Sequence, residues 1–146
     1  MAAGQPSTRE ALYERIRTSS KDEVILEEMV RIRRDIAPDV VFLPCSHDLH
    51  QDHETVTREG LRAFRNGTLL GYEMPRNNIT FSAQSFFVLT EDDVAAKIRA
   101  LKCYESQKFR GYTDERYIRA LATTRGVQIG VELAEAFEVL RWVTPL

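Results

Sequence analysis

The chain has 146 residues, of which 43% are hydrophobic and 29% are charged, a composition typical of one soluble globular domain. The chain contains 20 Lys and Arg and 22 Asp and Glu, which gives a formal net charge of -2. This near balance does not indicate binding to nucleic acid or to an anionic membrane. No apolar run is long enough to span a bilayer, and no signal-peptide core follows Met1. We therefore expect a cytoplasmic protein, with Cys45 and Cys103 as free thiols.

The first half of the chain predicts a helix, a strand and a second helix. Residues 1–19 are expected to form a flexible N-terminal segment, and residues 20–146 one domain. The short apolar run over 40–43 is typical of a strand that is buried on both faces. A second helix is expected over 54–64. The first helix is predicted from Ser20 to just before Pro38, with an apolar face formed by Ile25, Met29, Ile32 and Ile36.

The second half continues this alternation. Strands are predicted over 68–72 and 85–89, and Thr90 is expected to cap a helix that points Val94, Ile98, Leu101 and Tyr104 inward. Another helix is predicted from near 113–115 to about Thr124, with Gly126 just beyond its end. Residues 134–142 predict a helical turn followed by a strand. Such an alternation indicates a layered α/β domain, in which ligands bind at the carboxyl ends of the strands.

All three histidines of the chain lie within seven residues, in the loop that follows the strand over 40–43. The cluster contains His47, Asp48, His50, Asp52 and His53. Imidazole is the commonest metal-binding side chain, and carboxylates orient it by hydrogen bonding. An alternative is structural, with Asp52 capping a helix that begins at His53. The number of imidazoles at a strand end favours a metal or catalytic site, and Cys45 is expected to be a small buried residue beside it.

Residues 39–44 and 47–53 resemble the second motif of the PIG-L or LmbE-like deacetylases, and the likeness continues through 97–107, 125–126 and 134–137. These zinc-dependent enzymes remove acetyl groups from N-acetylglucosamine-type sugars and related amides. The resemblance implies a Rossmann-like layered sheet with helices on both faces. It also implies that His53 is a Zn²⁺ ligand, that His50 stabilises the oxyanion or protonates the leaving amine, and that Asp52 orients an imidazole. It assigns no firm role to His47 or Asp48.

The family's earlier His-Pro-Asp-Asp motif, which supplies two more zinc ligands and the general base, does not occur in this sequence. The acidic residues 91–93 indicate a helix cap and do not replace it. The resemblance therefore implies a truncated domain that lacks the family's first strand and holds Zn²⁺ only if a missing segment or a partner chain completes the site. We expect an N-acetylated sugar or amide substrate, no activity from this chain alone, and a partner chain or self-association at the exposed sheet position. The alternative is a non-catalytic sugar-binding or interaction module derived from the same fold.

Overall fold

The computed structural model describes residues 20–105 and 110–144, and the segment predicted over 1–19 lies outside them. The described part of the chain is a mixed α/β fold, as the sequence predicts. No helix in it is long and apolar enough to cross a membrane. A short 3₁₀ turn, Gly111–Thr113, precedes the last helix. The other elements are α1 (Lys21–Ile36), β1 (Val40–Pro44), α2 (Gln51–Ala63), β2 (Thr68–Tyr72), β3 (Ser85–Val88), α3 (Glu91–Lys102), α4 (Glu115–Ile129) and β4 (Ala134–Arg141).

The described strands form one open sheet in the order β1-β2-β4-β3. Strands β1 and β2 are parallel, with Val40 opposite Thr68 and Pro44 opposite Tyr72, whereas β4 is antiparallel to both of its neighbours. The carboxyl ends of β1 and β2 therefore meet at one edge of the sheet. The histidine loop follows β1 at this edge, where ligands of α/β sheets commonly bind.

Strand β1 is an edge strand, so the prediction that it is buried on both faces was wrong. It pairs only with β2 among the described strands. Leu43 is 4% exposed and lies against Gly60 of α2, but Phe42 on the opposite face is 48% exposed and Val40 is 42% exposed. Apolar residues on both faces of a strand predict burial only when neighbours cover both faces. Here α2 covers one face, and on the other face the ring of Phe42 lies against the rings of Phe87 and Phe137 and remains half exposed.

Helix α1 has the predicted bounds but a different buried face. Its amino end is capped by the Ser20 hydroxyl, and Ala37 ends it in the left-handed region at φ 47°. Ile32 and Ile36 are 43% and 68% exposed, contrary to the prediction. Arg33 faces α2 instead and donates a hydrogen bond to the Ala63 carbonyl at 2.7 Å. The α1 residues that pack on the core around Ala63, Phe64 and Leu69 are Leu26, Met29 and Val30, of which Met29 was predicted.

The last helix and strand are longer than predicted. Helix α4 continues past Thr124 to Ile129 and ends at Gly130, which has a φ of 76°. Gly126 therefore lies inside the helix. A side chain there would be excluded, because a Cβ would be 2.6 Å from the carbonyl oxygen of Glu132. Residues 134–141 are strand throughout, without the predicted helical turn.

Thr90 caps α3 as predicted, and with Asp93 it forms a capping box. Tyr104, predicted to point inward, is instead 62% exposed, because it follows the last turn of α3. The core between α3, α4 and the start of β4 is formed by Val94, Ile98, Ile118, Ala122 and Leu133.

Candidate active site

The histidine loop ends in the first turn of α2, which brings two imidazoles together. His50 is the N-cap residue, and its Nδ1 accepts a hydrogen bond from the backbone N–H of Asp52 at 3.2 Å. The helix begins at Gln51, so the alternative in which Asp52 caps a helix starting at His53 was wrong. Because residues three apart lie on one side of a helix, His50 and His53 are neighbours, with ring centroids 4.7 Å apart.

Asp48 forms hydrogen bonds with both of these histidines. Its side chain is fully buried, and its Oδ1 accepts a hydrogen bond from the backbone N–H of His50 at 2.8 Å. Its Oδ2 lies 2.7 Å from Nδ1 of His53, a ring that remains 28% exposed. The Nδ2 of Asn77 lies 3.5 Å from the same carboxylate oxygen. This is the arrangement in which a carboxylate fixes the orientation and tautomer of a functional imidazole.

The hydrogen bonds give the two rings opposite polarity. A neutral His50 whose Nδ1 accepts a hydrogen bond carries its proton on Nε2, and that nitrogen is a donor. A neutral His53 whose Nδ1–H donates a hydrogen bond to the Asp48 carboxylate has a free lone pair on Nε2. The site thus offers one N–H donor and one basic nitrogen side by side.

Asp48 is the residue that sequence reasoning left without a role. The resemblance assigns the orienting carboxylate to Asp52, and the catalytic role of the Asp52 side chain stays a prediction. What the structure describes is that the Asp52 backbone N–H orients His50, while the Asp48 carboxylate orients His53. The sequence feature that could have indicated this contact is the spacing, since Asp48 lies in the loop five residues before His53 on the helix.

The loop after β2 forms hydrogen bonds with the histidine loop. Asp48 and Asn78 form an isolated antiparallel bridge, and the Leu49 N–H donates to the Asn77 carbonyl at 3.1 Å. The Asn78 side chain accepts a hydrogen bond from the Met74 N–H at 2.9 Å and donates to the sulfur of Cys45. Sequence reasoning missed both asparagines, because their contacts depend on the parallel pairing of β1 with β2.

Cys45 is a free, buried thiol, as the sequence predicts, and Cys103 is free and exposed. Removal from water raises the pKa of Cys45, and the nearby carboxylates of Glu138 and Asp48 act in the same direction. Hydrogen bonds from the His47 backbone and from Asn78 oppose this effect. The thiol is therefore the stable form in the folded protein, which fits a packing role rather than a thiolate ligand.

His47 lies outside the Asp48-centred network. Its Nδ1 is 2.9 Å from the Ser46 hydroxyl, which donates a hydrogen bond to Oε1 of Glu138 at 2.6 Å. The Ser46 N–H donates to Oε2 of the same carboxylate at 2.7 Å. These bonds fix the start of the loop to β4, so His47 is a matched control for the other two histidines.

The described residues do not form a zinc site on their own. No group of three or more His, Cys, Asp or Glu side chains among them could hold a metal ion. The free Nε2 of His53 is one suitable donor, because a carboxylate fixes the other ring nitrogen. A catalytic zinc needs about three protein ligands, and the donor set described here therefore does not fit zinc without further ligands.

The described part of the chain shares its mixed α/β fold with several solved structures. The solved structures that the chain matches include the 4-carboxy-2-hydroxymuconate hydratase GalB from Pseudomonas putida KT2440, with 17% identity and a TM-score of 0.66. They also include N,N'-diacetylchitobiose deacetylase from Pyrococcus horikoshii, with 20% identity and a TM-score of 0.56. A third is teicoplanin deacetylase Orf2 in a zinc-inhibited form, with 16% identity and a TM-score of 0.61.

The match covers most of this chain but only part of each solved structure. The match with GalB covers 85% of this chain and 62% of GalB. The match with the chitobiose deacetylase covers 82% of this chain and 52% of that enzyme. The match with teicoplanin deacetylase covers 93% of this chain and 55% of that enzyme. The chain thus spans about half to three fifths of these proteins. No protein-family model matches the sequence, and no curated protein matches it. At these identities the likeness establishes the fold.

Proposed function

We propose that this chain is the later part of a PIG-L/LmbE-like amide hydrolase, acting on N-acetylglucosamine-type sugars or related amides. The observation that carries the proposal is the pair of imidazoles with opposite polarity at the carboxyl ends of β1 and β2. The Asp52 backbone N–H orients one ring, and the buried Asp48 carboxylate orients the other. Two solved structures of the same fold are deacetylases by name, which supports amide hydrolysis as the reaction class.

The two imidazoles suit two different tasks in amide hydrolysis. The Nε2–H of His50 is a donor for the oxyanion that develops on the amide carbonyl, or for the leaving amine. The Nε2 lone pair of His53 is a ligand for the metal that the resemblance implies, and Asp48 fixes the orientation of the ring. The remaining ligands and the general base come, in this proposal, from a segment or chain beyond the described residues.

The proposal predicts that the 146-residue chain alone does not hydrolyse N-acetylglucosamine amides at an enzymatic rate. Lack of a general base alone lowers the rate roughly 10²- to 10⁴-fold, and loss of two ligands weakens metal binding further. The coding sequence directly upstream of Met1 is the first place to search for an in-frame His-Pro-Asp-Asp motif behind an apolar strand. If the motif is there, the extended protein is the one to assay.

The decisive experiment compares the chain with a version extended at its amino end by such a strand and motif. Release of acetate from N-acetylglucosamine and from N,N'-diacetylchitobiose is measured with and without added zinc. We expect activity only in the extended protein, loss of activity in His53→Ala, and a lower kcat in His50→Ala. His47→Ala is the matched control and should retain activity, because its ring contacts Ser46 rather than Asp48. The proposal would be contradicted if the extended His50→Ala and His53→Ala variants were as active as the extended parent protein.

A second candidate is a non-catalytic sugar-binding module, and one feature favours it. Phe42, Phe87 and Phe137 form a cluster of rings with centroids 5.1–6.1 Å apart, and Phe42 and Phe87 are about half exposed. The C–H face of a pyranose packs well on exposed aromatic rings. Sugar binding that survives His53→Ala but is lost in Phe42→Ala would favour this candidate over the hydrolase.

A further inference from the structure

A cavity of about 230 Å³ lies between α3, α4, the first half of β4 and residues 72–76, where β2 ends. None of the three histidines lines it, and the proposed hydrolysis does not use it. Its surface is mostly apolar, and several of its lining side chains belong to the core of α3 and α4. The main apolar lining residues are Leu89, Val94, Leu101, Ile118, Leu121 and Phe137.

The charges around this cavity do not cancel. Its lining contains two carboxylates and three cationic side chains, which leaves one positive charge in excess. Arg125 pairs with Glu73, with Nε 2.9 Å from Oε2, and Lys97 pairs with Glu135. Arg76 is the remaining cation, because it forms no ion pair within the described part of the chain. A ligand with one negative charge would compensate Arg76 and leave the two existing pairs intact.

Arg76 lies at the opening of the cavity, since it is exposed to solvent and also lines the cavity together with Tyr112. Its guanidinium carbon lies over the Tyr112 ring, 5.7 Å from the ring centroid. A guanidinium held over an aromatic ring keeps the N–H donors at its edge available to an acceptor. A carboxylate fits these donors best, because its two oxygens accept two parallel hydrogen bonds from the planar group.

We propose that this cavity binds a small organic monocarboxylate, whose apolar body of about one ring fills the cavity and whose carboxylate pairs with Arg76. An apolar cavity of about 150 Å³ is large enough for benzene, so about 230 Å³ accommodates a ring with a short side chain. A carboxylate carries one negative charge at neutral pH and matches the single excess cation, whereas a phosphate monoester carries about -1.5 to -2. The site is independent of the proposed hydrolysis, since its occupancy involves neither the histidines nor a metal.

The test is a titration of the isotope-labelled 146-residue chain with three probes, followed by ¹H–¹⁵N correlation spectra. Phenylacetate has the ring and the carboxylate, phenylacetamide is its neutral counterpart, and acetate has the charge without the ring. We expect saturable shifts at residues 72–76 and along α4 with phenylacetate, and no saturable shifts there with acetate. Phenylacetamide should bind about three- to tenfold more weakly than phenylacetate, the effect of one ion pair at the opening. Shifts with phenylacetate that centre on the histidine loop instead would overturn the proposal.

Arg76→Gln isolates the contribution of the charge. It should weaken phenylacetate about three- to tenfold, to the affinity of phenylacetamide, and leave phenylacetamide binding unchanged. Arg34→Gln is the matched control, because Arg34 is an exposed arginine on α1, outside the cavity, and this variant removes the same charge from the protein. It should bind phenylacetate as the parent does. Equal affinities of the parent and Arg76→Gln for phenylacetate would overturn the proposal.

Two further variants locate the ring of the ligand in the cavity. Leu121→Trp fills the cavity from a half-buried position, and Ala122→Met fills it from the core. Either variant should abolish the shifts from phenylacetate and phenylacetamide while the spectrum of the folded protein persists. Unchanged binding in a folded cavity-filling variant would overturn the proposal, and so would the absence of saturable shifts with phenylacetate in the parent chain.

Discussion

The buried carboxylate of Asp48 binds the backbone of one histidine and the ring of another. It accepts hydrogen bonds from the His50 backbone and from the His53 ring, which fixes the entry into α2 and the tautomer of His53 together. A fully buried charge is stable only when such partners surround it. The polarity of His53 is therefore set by Asp48, whereas that of His50 is set by the backbone N–H of Asp52.

Asp48→Asn tests this dependence. The new amide group would place N–H donors against donors, so we expect a loss of about 1–3 kcal/mol in the free energy of unfolding and a loss of the single Nδ1–H tautomer of His53. Urea denaturation measures the first effect, and long-range ¹H–¹⁵N spectra of the imidazoles measure the second. Asp39→Asn, at an exposed position, is the control and should change neither quantity. An unaltered His53 tautomer in Asp48→Asn would show that the carboxylate does not set the polarity.

The burial of Cys45 predicts a loss of stability at alkaline pH. Burial raises the pKa of Cys45 above its ordinary value of 9.0, and burial likewise raises the pKa of Tyr72. A group whose folded pKa is raised stabilises the fold below its unfolded pKa, and this stabilisation is lost as the pH rises through the folded pKa. The free energy of unfolding should therefore decrease above about pH 9, where the unfolded chain loses these protons first.

Urea unfolding at pH 7, 9 and 10.5 measures this decrease, and Cys45→Ala should make it smaller.

The rate of alkylation by iodoacetamide measures the accessibility of each thiol independently. In the native protein we expect Cys103 to react and Cys45 to react only after unfolding, because Cys45 is 1% exposed. Equal labelling rates of both thiols in the folded protein would contradict the prediction.

Among the elements, the helices near the site illustrate what local sequence determines. The start of α3 follows from Thr90 and Asp93, whose mutual hydrogen bonds need only their own backbone. The end of α4 does not follow from its glycines, because Gly126 was expected to end the helix and Gly130 ends it. The difference is tertiary, since the backbone of residues 131–132 approaches Gly126 too closely for any side chain.

Gly126→Ala is therefore expected to destabilise the protein although alanine favours helices. The added Cβ would lie 2.6 Å and 2.7 Å from the carbonyl oxygens of Glu132 and Val131, and these are backbone atoms that cannot rotate away. We expect a loss of about 1–3 kcal/mol in the free energy of unfolding, the usual effect of overpacking. Gly111→Ala, where a Cβ meets nothing within 4 Å, is the control and should be nearly neutral. A more stable Gly126→Ala would show that helix propensity outweighs the contact.

For the whole molecule, the sequence predicted the α/β class, the order of helices and strands, and the position of the histidines at a strand end. Each of these follows from local periodicity and caps. It did not predict the buried face of α1, because Ile32 and Val30 are equally apolar and only the position of α2 distinguishes them. The Asp48–His53 bond likewise requires the turn geometry of the loop, which periodicity does not describe.

The edge strand β1 leads to the last prediction, self-association of the chain. Among the described strands it has one neighbour, and Val40 and Phe42 on it are about half exposed, so unpaired backbone groups lie beside apolar side chains. Two copies related by a twofold axis would pair their β1 strands antiparallel, with Phe42 opposite Phe42. We expect a concentration-dependent dimer in sedimentation equilibrium, unless a partner segment takes this edge.

Val40→Lys should make the chain monomeric, since a lysine on an edge strand disfavours pairing. Val88→Lys is the matched control, because Val88 is 65% exposed on β3 at the opposite edge of the sheet, and this variant should still dimerise. If Val88→Lys abolishes the dimer and Val40→Lys does not, the association uses the other edge. A parent chain that stays monomeric at high concentration would mean that the exposed β1 edge alone does not drive pairing, since Pro44 and the short length of the strand limit the hydrogen bonds it can form.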